Sequence, residues 1–414
     1  MARECSPAEE SGYDKGSPMR PNRAWKFLLV SFISLVLAQD IQAGNLKVLY
    51  SFTGGADGMT PVAGVTRDAS GNLYGTTLYG AYPYSGTVFE LTKSEKLKVL
   101  YAFDGGSDGA SPEGGVIRDA KGTLYGTTSY TKSYGYGYGT VYKVSKSGEH
   151  TVLYTFSGGA DGAGPQSALI PDRGGNLYGT TEFGGDLSCG APYGCGVVFR
   201  LSKTGQENVL YAFHGGSDGA SPVAALVADA QGNLYGTASS GGDAICNCGV
   251  VFKLATSGQE TVLYAFKGGA DGAFPDANLI RDGEGALYGT TWSGGDTNCD
   301  TGLGCGVVFK VRKNGRESIL HRFAGGNDGI GAVSGLVEDS KGNLYGTTRD
   351  GGKYTSGTVF KLSQAGKETV LHTFDGKDGA GPQAGLIRDK AGTLYGTTTH
   401  GGDFSVGTIY KLTP

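Results

Sequence analysis

Gly71-Asn72-Leu73-Tyr74-Gly75-Thr76-Thr77 decides the fold. Its centre, Leu-Tyr-Gly-Thr, returns at Leu73, Leu124, Leu177, Leu234, Leu287, Leu344 and Leu394, so successive copies lie, by subtraction, 51, 53, 57, 53, 57 and 50 residues apart. Seven copies at a period in the fifties mark a repeat architecture. The unit from Glu149 to Thr204 shows what is repeated. Residues 151–156 (TVLYTF) alternate on a two-residue period, residues 168–170 (ALI) form a short apolar run, and residues 176–181 and 197–201 are rich in β-branched and aromatic side chains. Gly-, Asp- and Asn-rich turns separate them, and no helical periodicity intervenes. Four short antiparallel strands repeated seven times predict an all-β, seven-bladed β-propeller.

The order of strands within a blade also predicts how the ring closes. The innermost strand is the Ala-Gly-Leu-Ile-type segment, the second carries Leu-Tyr-Gly-Thr, the third is of the Gly-Thr-Val-Phe-Lys-Leu type, and the outermost is Thr-Val-Leu-Tyr-x-Phe. Residues 46–52 read as an outermost strand and residues 407–412 as a third strand. The N-terminal strand is therefore expected to complete the last blade, leaving no unpaired edge.

Glycine is abundant, at 76 of 414 residues, but it recurs at fixed turns and does not signal low complexity. The formal charge of −4, with no basic stripe, argues against nucleic acid as a partner. Arg20, Arg23 and Lys26 followed by the apolar run 27–38 read as a secretory signal, too short for a membrane span. Residues 1–43 are thus an N-terminal extension plus signal, with Met1 and Met19 both open as starts, and residues 44–414 are the propeller, expected to be exported and monomeric. Cys5 precedes the signal. The remaining cysteines fall pairwise inside single loops, Cys189 with Cys195, Cys246 with Cys248 and Cys299 with Cys305, the pattern of disulfides in an exported chain. Cys246-Asn247-Cys248 would close a tight ring, which makes it the most reducible of the three.

These motifs, together with the Gly-Gly-Asp loops and Val-Leu-Tyr-x-Phe-x-Gly-Gly-x-Asp-Gly, resemble the GloVer tandem repeat of exported bacterial proteins, over residues 46–414. The resemblance implies export, often with a C-terminal surface anchor, whereas this sequence stops at Pro414 on the last blade strand. It implies no defined activity, cofactor or catalytic residue.

Function has to be read from departures from the repeat. Propeller topology puts the loops from second to third strand, and those from outermost strand to the next blade, on one face. The loops from second to third strand hold 8, 10, 14, 10, 14, 8 and 8 residues, counting from Thr-Thr (Thr-Ala in the fourth blade) to the next Gly. Of the 24 tyrosines, those outside the repeat strands concentrate in the first two of these loops: Tyr79, Tyr82, Tyr84, Tyr130, Tyr134, Tyr136 and Tyr138. Tyrosine among Gly and Ser gives flat amphipathic contact area, so these seven are the candidate ligand-binding residues, for carbohydrate or a surface protein. The bland reading is a tyrosine-rich loop packed on itself.

Asp57 and its equivalents Asp108, Asp161, Asp218, Asp271, Asp328 and Asp378 recur in every blade. A group present in all repeats serves the repeat, so they are expected to cap their own turns and not to hold calcium. Arg67, Arg118, Arg281 and Arg388 each precede an Asp and read as structural by the same logic. No metal site and no cofactor is expected. His321 and His372 replace an outer-strand tyrosine and read as packing residues. Without a nucleophile motif, a binding scaffold is favoured over an enzyme. The alternatives are a channel-mouth hydrolase or lyase, which needs a convergent polar cluster confined to a few blades, and a purely structural surface protein.

Overall fold

The computed structural model describes residues 44–80, 84–131, 137–299 and 302–414. They form seven four-stranded antiparallel sheets arranged as blades around a central channel. In the first blade the strands are Thr66–Arg67, Leu73–Thr77, Thr87–Leu91 and Leu97–Ala102. The last blade is built from Ile387–Arg388, Leu394–Thr398, Thr408–Thr413 and the N-terminal strand Asn45–Ser51, as the strand order required. Leu46 pairs with Leu412 and Val48 with Tyr410 across that closure. The expected export signal lies outside the described residues, among which no helix is long and apolar enough to cross a membrane.

The glycine of Leu-Tyr-Gly-Thr has a packing reason. In each blade it sits directly opposite an aromatic residue of the third strand: Gly75 opposite Phe89, Gly126 opposite Tyr142, Gly346 opposite Phe360. The ring lies over the bare backbone, so a Cβ on Gly346 would fall 2.7 Å from Phe360 Cζ and 2.9 Å from Leu336 Cδ2. Gly346→Ala should therefore lower stability by ~1–3 kcal/mol, the usual cost of overpacking a filled core. Urea unfolding checks this, and an unchanged midpoint would mean that the ring yields freely.

Two side-chain contacts weld every blade to the next, and a third reinforces four of the seven boundaries. The phenylalanine ending each outermost strand meets the third-strand aromatic of the following blade edge-on, as in Phe103 to Tyr142 at 5.1 Å and Phe213 to Phe252 at 5.2 Å between centroids. The first threonine after each Leu-Tyr-Gly donates to an inner-segment carbonyl of the next blade, as Thr127 does to Ser167 O at 3.0 Å. The arginines stack across the same boundary, Arg118 on Tyr74 and Arg281 on Tyr235, at 5.4 and 5.5 Å. They serve the repeat, as read from the sequence, through the neighbouring blade's tyrosine.

The innermost strands are shorter than expected. Only two residues of each pair in the sheet, such as Ile170–Pro171 where residues 168–170 were expected. The preceding residues converge on the axis: a Cβ on Gly64 would lie 2.7 Å from Gly385 O, and one on Gly114 2.6 Å from Ser167 O. Crowding between blades leaves these segments lining the channel in place of extending the ladder.

Candidate functional site

An antiparallel bridge in every blade joins the two loop sets, among them Met59 to Tyr79, Ala163 to Phe183 and Ala273 to Ser293. Both sets therefore share one face. The recurrent aspartates are turn caps. Asp161 accepts from Ser157 N at 2.8 Å and from the Tyr154 hydroxyl at 2.9 Å. His321 and His372 take over the tyrosine's place: their Nε2 atoms lie 3.1 Å from Asp328 Oδ1 and 2.6 Å from Asp378 Oδ2.

Tyr79, Tyr84 and Tyr138 are about half exposed on this face, and Tyr130 is partly buried. Tyr82, Tyr134 and Tyr136 lie outside the described residues. Tyr138 also has a packing role, since a Cβ on Gly158 would meet its ring at 2.3 Å. The apolar character of the face runs well beyond the first two blades. Among the described residues, ten of the eleven exposed large apolar side chains stand on the loops from second to third strand, at least one in each blade, from Tyr79 through Ile245 to Phe404.

The cysteines meet pairwise, Cys189–Cys195, Cys246–Cys248 and Cys299–Cys305, with Cα separations of 5.6, 5.1 and 5.9 Å, inside disulfide range. The sulfurs of the first two pairs pack on the connector to the next blade. A Cβ on Gly215 would lie 2.1 Å from Cys189 Sγ, and one on Gly268 3.0 Å from both Cys246 and Cys248 Sγ.

Inside this rim the channel opens into a mouth cavity of about 550 Å³, continuous in its lining with an axial cavity of about 400 Å³. Two rings of side chains line it. One follows the proline of six repeats, and Ala332 in the sixth blade, and reads Val62, Glu113, Gln166, Val223, Asp276, Val333, Gln383. The other follows the second-strand Thr-Thr (Thr-Ala in the fourth blade) and contributes Glu182, Ser239, Trp292 and Arg349. Both positions vary from blade to blade while the flanking residues repeat. Burial raises the Glu113 carboxyl, pushes Glu182 up to about 7 with help from the nearby Glu113 charge, and pushes Asp276 up to about 7. Gln166 donates to Glu182, while Asp276 Oδ1 is buried with no hydrogen-bond partner among the described residues. Trp292 leans on Phe274 at 6.1 Å and remains 40% exposed. Arg349 Nε lies 3.6 Å from Asp350 Oδ2.

The mouth thus gathers carboxyls, amides, a guanidinium and an indole from different blades, donors and acceptors beside a flat apolar surface. Tyrosine counting missed these residues, because each differs from its equivalents at a single position. Aligning the seven repeats on the proline that six of them share, with Ala332 in the sixth, would have exposed them.

The model of the Gloeobacter/Verrucomicrobia repeat matches residues 35–193 and 187–410. The chain belongs to that family. No curated protein matches this Gloeobacter/Verrucomicrobia repeat chain significantly. Among solved structures it is similar to an extracellular domain of B. thetaiotaomicron assigned to a hybrid two component system, with 12% identity, TM-score 0.54, and 90% of this chain against 41% of that one. A second such domain, assigned to a one component system of the same organism, gives 9% identity, TM-score 0.57, and coverage of 88% and 40%. The repeat chain thus spans about two fifths of their length. A protein from Bacteroides uniformis assigned as a 6-phosphogluconolactonase matches at 16% identity and TM-score 0.50, over 82% of this chain and 92% of that one. At these identities the likeness is one of fold.

Proposed function

We propose that this protein is an exported binding propeller that holds an extracellular glycan over the channel mouth, with residues 44–414 as the mature domain. The observation that carries this reading is the mouth itself, where the variable positions of an otherwise uniform repeat converge as Glu113, Gln166, Glu182, Asp276, Trp292 and Arg349. A sugar ring presents an apolar face for Trp292 and equatorial hydroxyls for the carboxyls and amides. The outer tyrosines Tyr79 and Tyr84 would flank a longer chain. Export is supported by the cysteine pairs and by the fold's likeness to extracellular domains. The same carboxyl cluster favours the channel-mouth hydrolase or lyase as the second reading, because carboxyls held near neutrality suit acid–base work.

A glycan array probed with residues 44–414, disulfides intact, tests both. Binding confined to a few glycans is expected, weakened at least tenfold by Trp292→Ala and by Asp276→Asn, the range of a lost stacking or buried polar contact. New reducing or unsaturated ends appearing on the bound glycan would move the assignment to the enzyme. A blank array, or hits indifferent to both substitutions, would sink the mouth as a glycan site.

A further inference from the structure

On the face opposite the mouth, a groove of about 340 Å³ runs between the fourth and fifth blades. Its walls come from the turn at Asp229 and Asn233, the tyrosine of the fourth blade, and the turn of the fifth blade that carries Arg312 and Lys313. Four cationic side chains line it, Lys253, Arg281, Arg312 and Lys313, against one carboxylate, Asp229. That carboxylate is already spent on its own turn: Oδ1 accepts from Gln231 N and Asn233 N, both at 2.9 Å, and Oδ2 from Asn233 Nδ2 at 2.8 Å and the Tyr235 hydroxyl at 3.0 Å.

The cations are pressed together. A Cβ on Gly285 would fall 2.3 Å from Lys313 Cε and 2.6 Å from Arg281 Nη2, so the two side chains converge over one backbone position. Gly285, at φ +86°, leaves that space free. The Arg281 guanidinium is held over the Tyr235 ring at 5.5 Å and its Nε is buried without a partner, while Arg312 Nη1 donates to Ser318 Oγ at 2.9 Å. None of the four forms an ion pair among the described residues, and neither does Glu284 in the adjoining turn. Lys310, the fifth-blade equivalent of Lys253, shows the usual solution: it bonds the Tyr288 hydroxyl and lies 3.6 Å from Asp282.

Four cations beside one carboxylate leave an excess of like charge that repels unless an anion sits between them. The first and second blades place the same pair over the same turn, Arg67 with Lys93 at Gly71 and Arg118 with Lys146 at Gly122, but Thr92 and Ser145 stand where the fifth blade has Arg312. Arg312 is the cation that the turns of the first and second blades lack. We propose that this groove is an oxyanion site that takes a sulfate group, either free or carried on an acidic polysaccharide. The planar guanidiniums of Arg281 and Arg312 present forked donors to two oxygens, and Lys313 and Lys253 supply point charges. The site is distinct from the mouth and does not depend on what the mouth binds.

Calorimetric titration of residues 44–414 with sodium sulfate, with a sulfated hexasaccharide and with its unsulfated counterpart tests it. Three variants accompany the wild type: Arg312→Gln/Lys313→Gln, both residues being exposed turn positions; Lys353→Gln/Lys377→Gln, an equal charge change on the other face; and Trp292→Ala at the mouth. Saturable sulfate binding is expected, weakened at least tenfold in the first variant and unchanged in the other two. A hexasaccharide tenfold tighter than the ion identifies the polysaccharide as the source, and equal affinity identifies the free ion. Equal losses in the two double variants, sulfate binding lost in Trp292→Ala, or no saturable binding of either sulfated probe would overturn the assignment.

Discussion

A chain that begins at Thr53, without Asn45–Ser51 and Phe52, should lose cooperative unfolding and associate in solution. The missing strand is the outermost strand of the last blade, paired over six registered positions from Asn45 with Thr413 to Ser51 with Thr408. Its removal bares the edge of the third strand, which carries an unpaired row of backbone donors and acceptors. It also takes away Phe52, fully buried and edge-on to Phe89 of the first blade at 5.3 Å. Deleting a buried phenylalanine side chain alone costs ~3–5 kcal/mol, a large share of a domain's stability. The junction between the last and first blades would keep the Thr397 bond to Ala63 O at 3.0 Å and the stacking of Arg67 on Tyr395. Those two contacts and the Thr60 N bond to Val406 O at 2.8 Å are too little to hold an open array shut. Thermal unfolding with light scattering reads the result. A sharp transition within a few degrees of the full chain, from a monomer, would show that closure is dispensable.

The melting temperature should rise by several degrees as pH falls from about 8 to about 5. The cause sits on the outer strands. Glu207, Glu260, Glu317 and Glu368 open the outermost strands of four consecutive blades, and in each the Oε1 atom is buried without a partner. Burial, and next the charge of the preceding blade's cap aspartate (Asp161, Asp218, Asp271 and Asp328 in turn), pushes each carboxyl up to about 7. Glu182 and Asp276 at the mouth behave alike. A carboxyl raised in the fold contributes stability that is complete below its unfolded value, ~4.3 for glutamate, and is lost as pH rises through about 7.

Two groups of residues oppose this at lower pH. His150, pushed down to about 4 by burial, costs stability as pH falls from 6.5 towards 4. The turn carboxylates then follow. Burial alone would raise Asp339, but bonds from Asn343, Lys341 N and Tyr345 outweigh it and hold the group at about 2, so its contribution is lost as pH drops through that range. The outer glutamates are partly open to solvent, so screening keeps the effect to degrees and not tens of degrees. Replacing all four with Gln should raise stability at pH 8 and flatten most of the slope. A wild-type melting temperature constant between pH 8 and 5 would contradict the account.

The blade count, the strand order and the closure were legible because each is written seven times. What the sequence could not show was who faces whom across a blade boundary. Arg118 announces itself next to Asp119, yet its ring partner, Tyr74, lies one blade earlier. The inner strands were overextended because Gly114 and Ala168 look like strand residues until the axis crowds them. At the candidate site, tyrosine enrichment pointed to the face that also carries the channel mouth, and to half-exposed Tyr79 and Tyr84. It passed over Asp276 and Trp292, which are single-residue departures inside a uniform frame. The cation groove has the same origin, since Arg281 and Lys313 are 32 residues apart by subtraction and meet only over Gly285.

The cysteine pairs occupy three consecutive blades, and those of the third and fourth pack against the glycine connectors that lead out of them, at Gly215 and Gly268. Their mechanical consequence is a stiff arc. A pull on one of these loops passes through the sulfurs and the connector into the neighbouring plate, so force is shared along the third to fifth blades. The other blades meet a tug loop by loop, through hydrogen bonds and ring contacts alone. A load on this face would find one flank that transmits and one that gives.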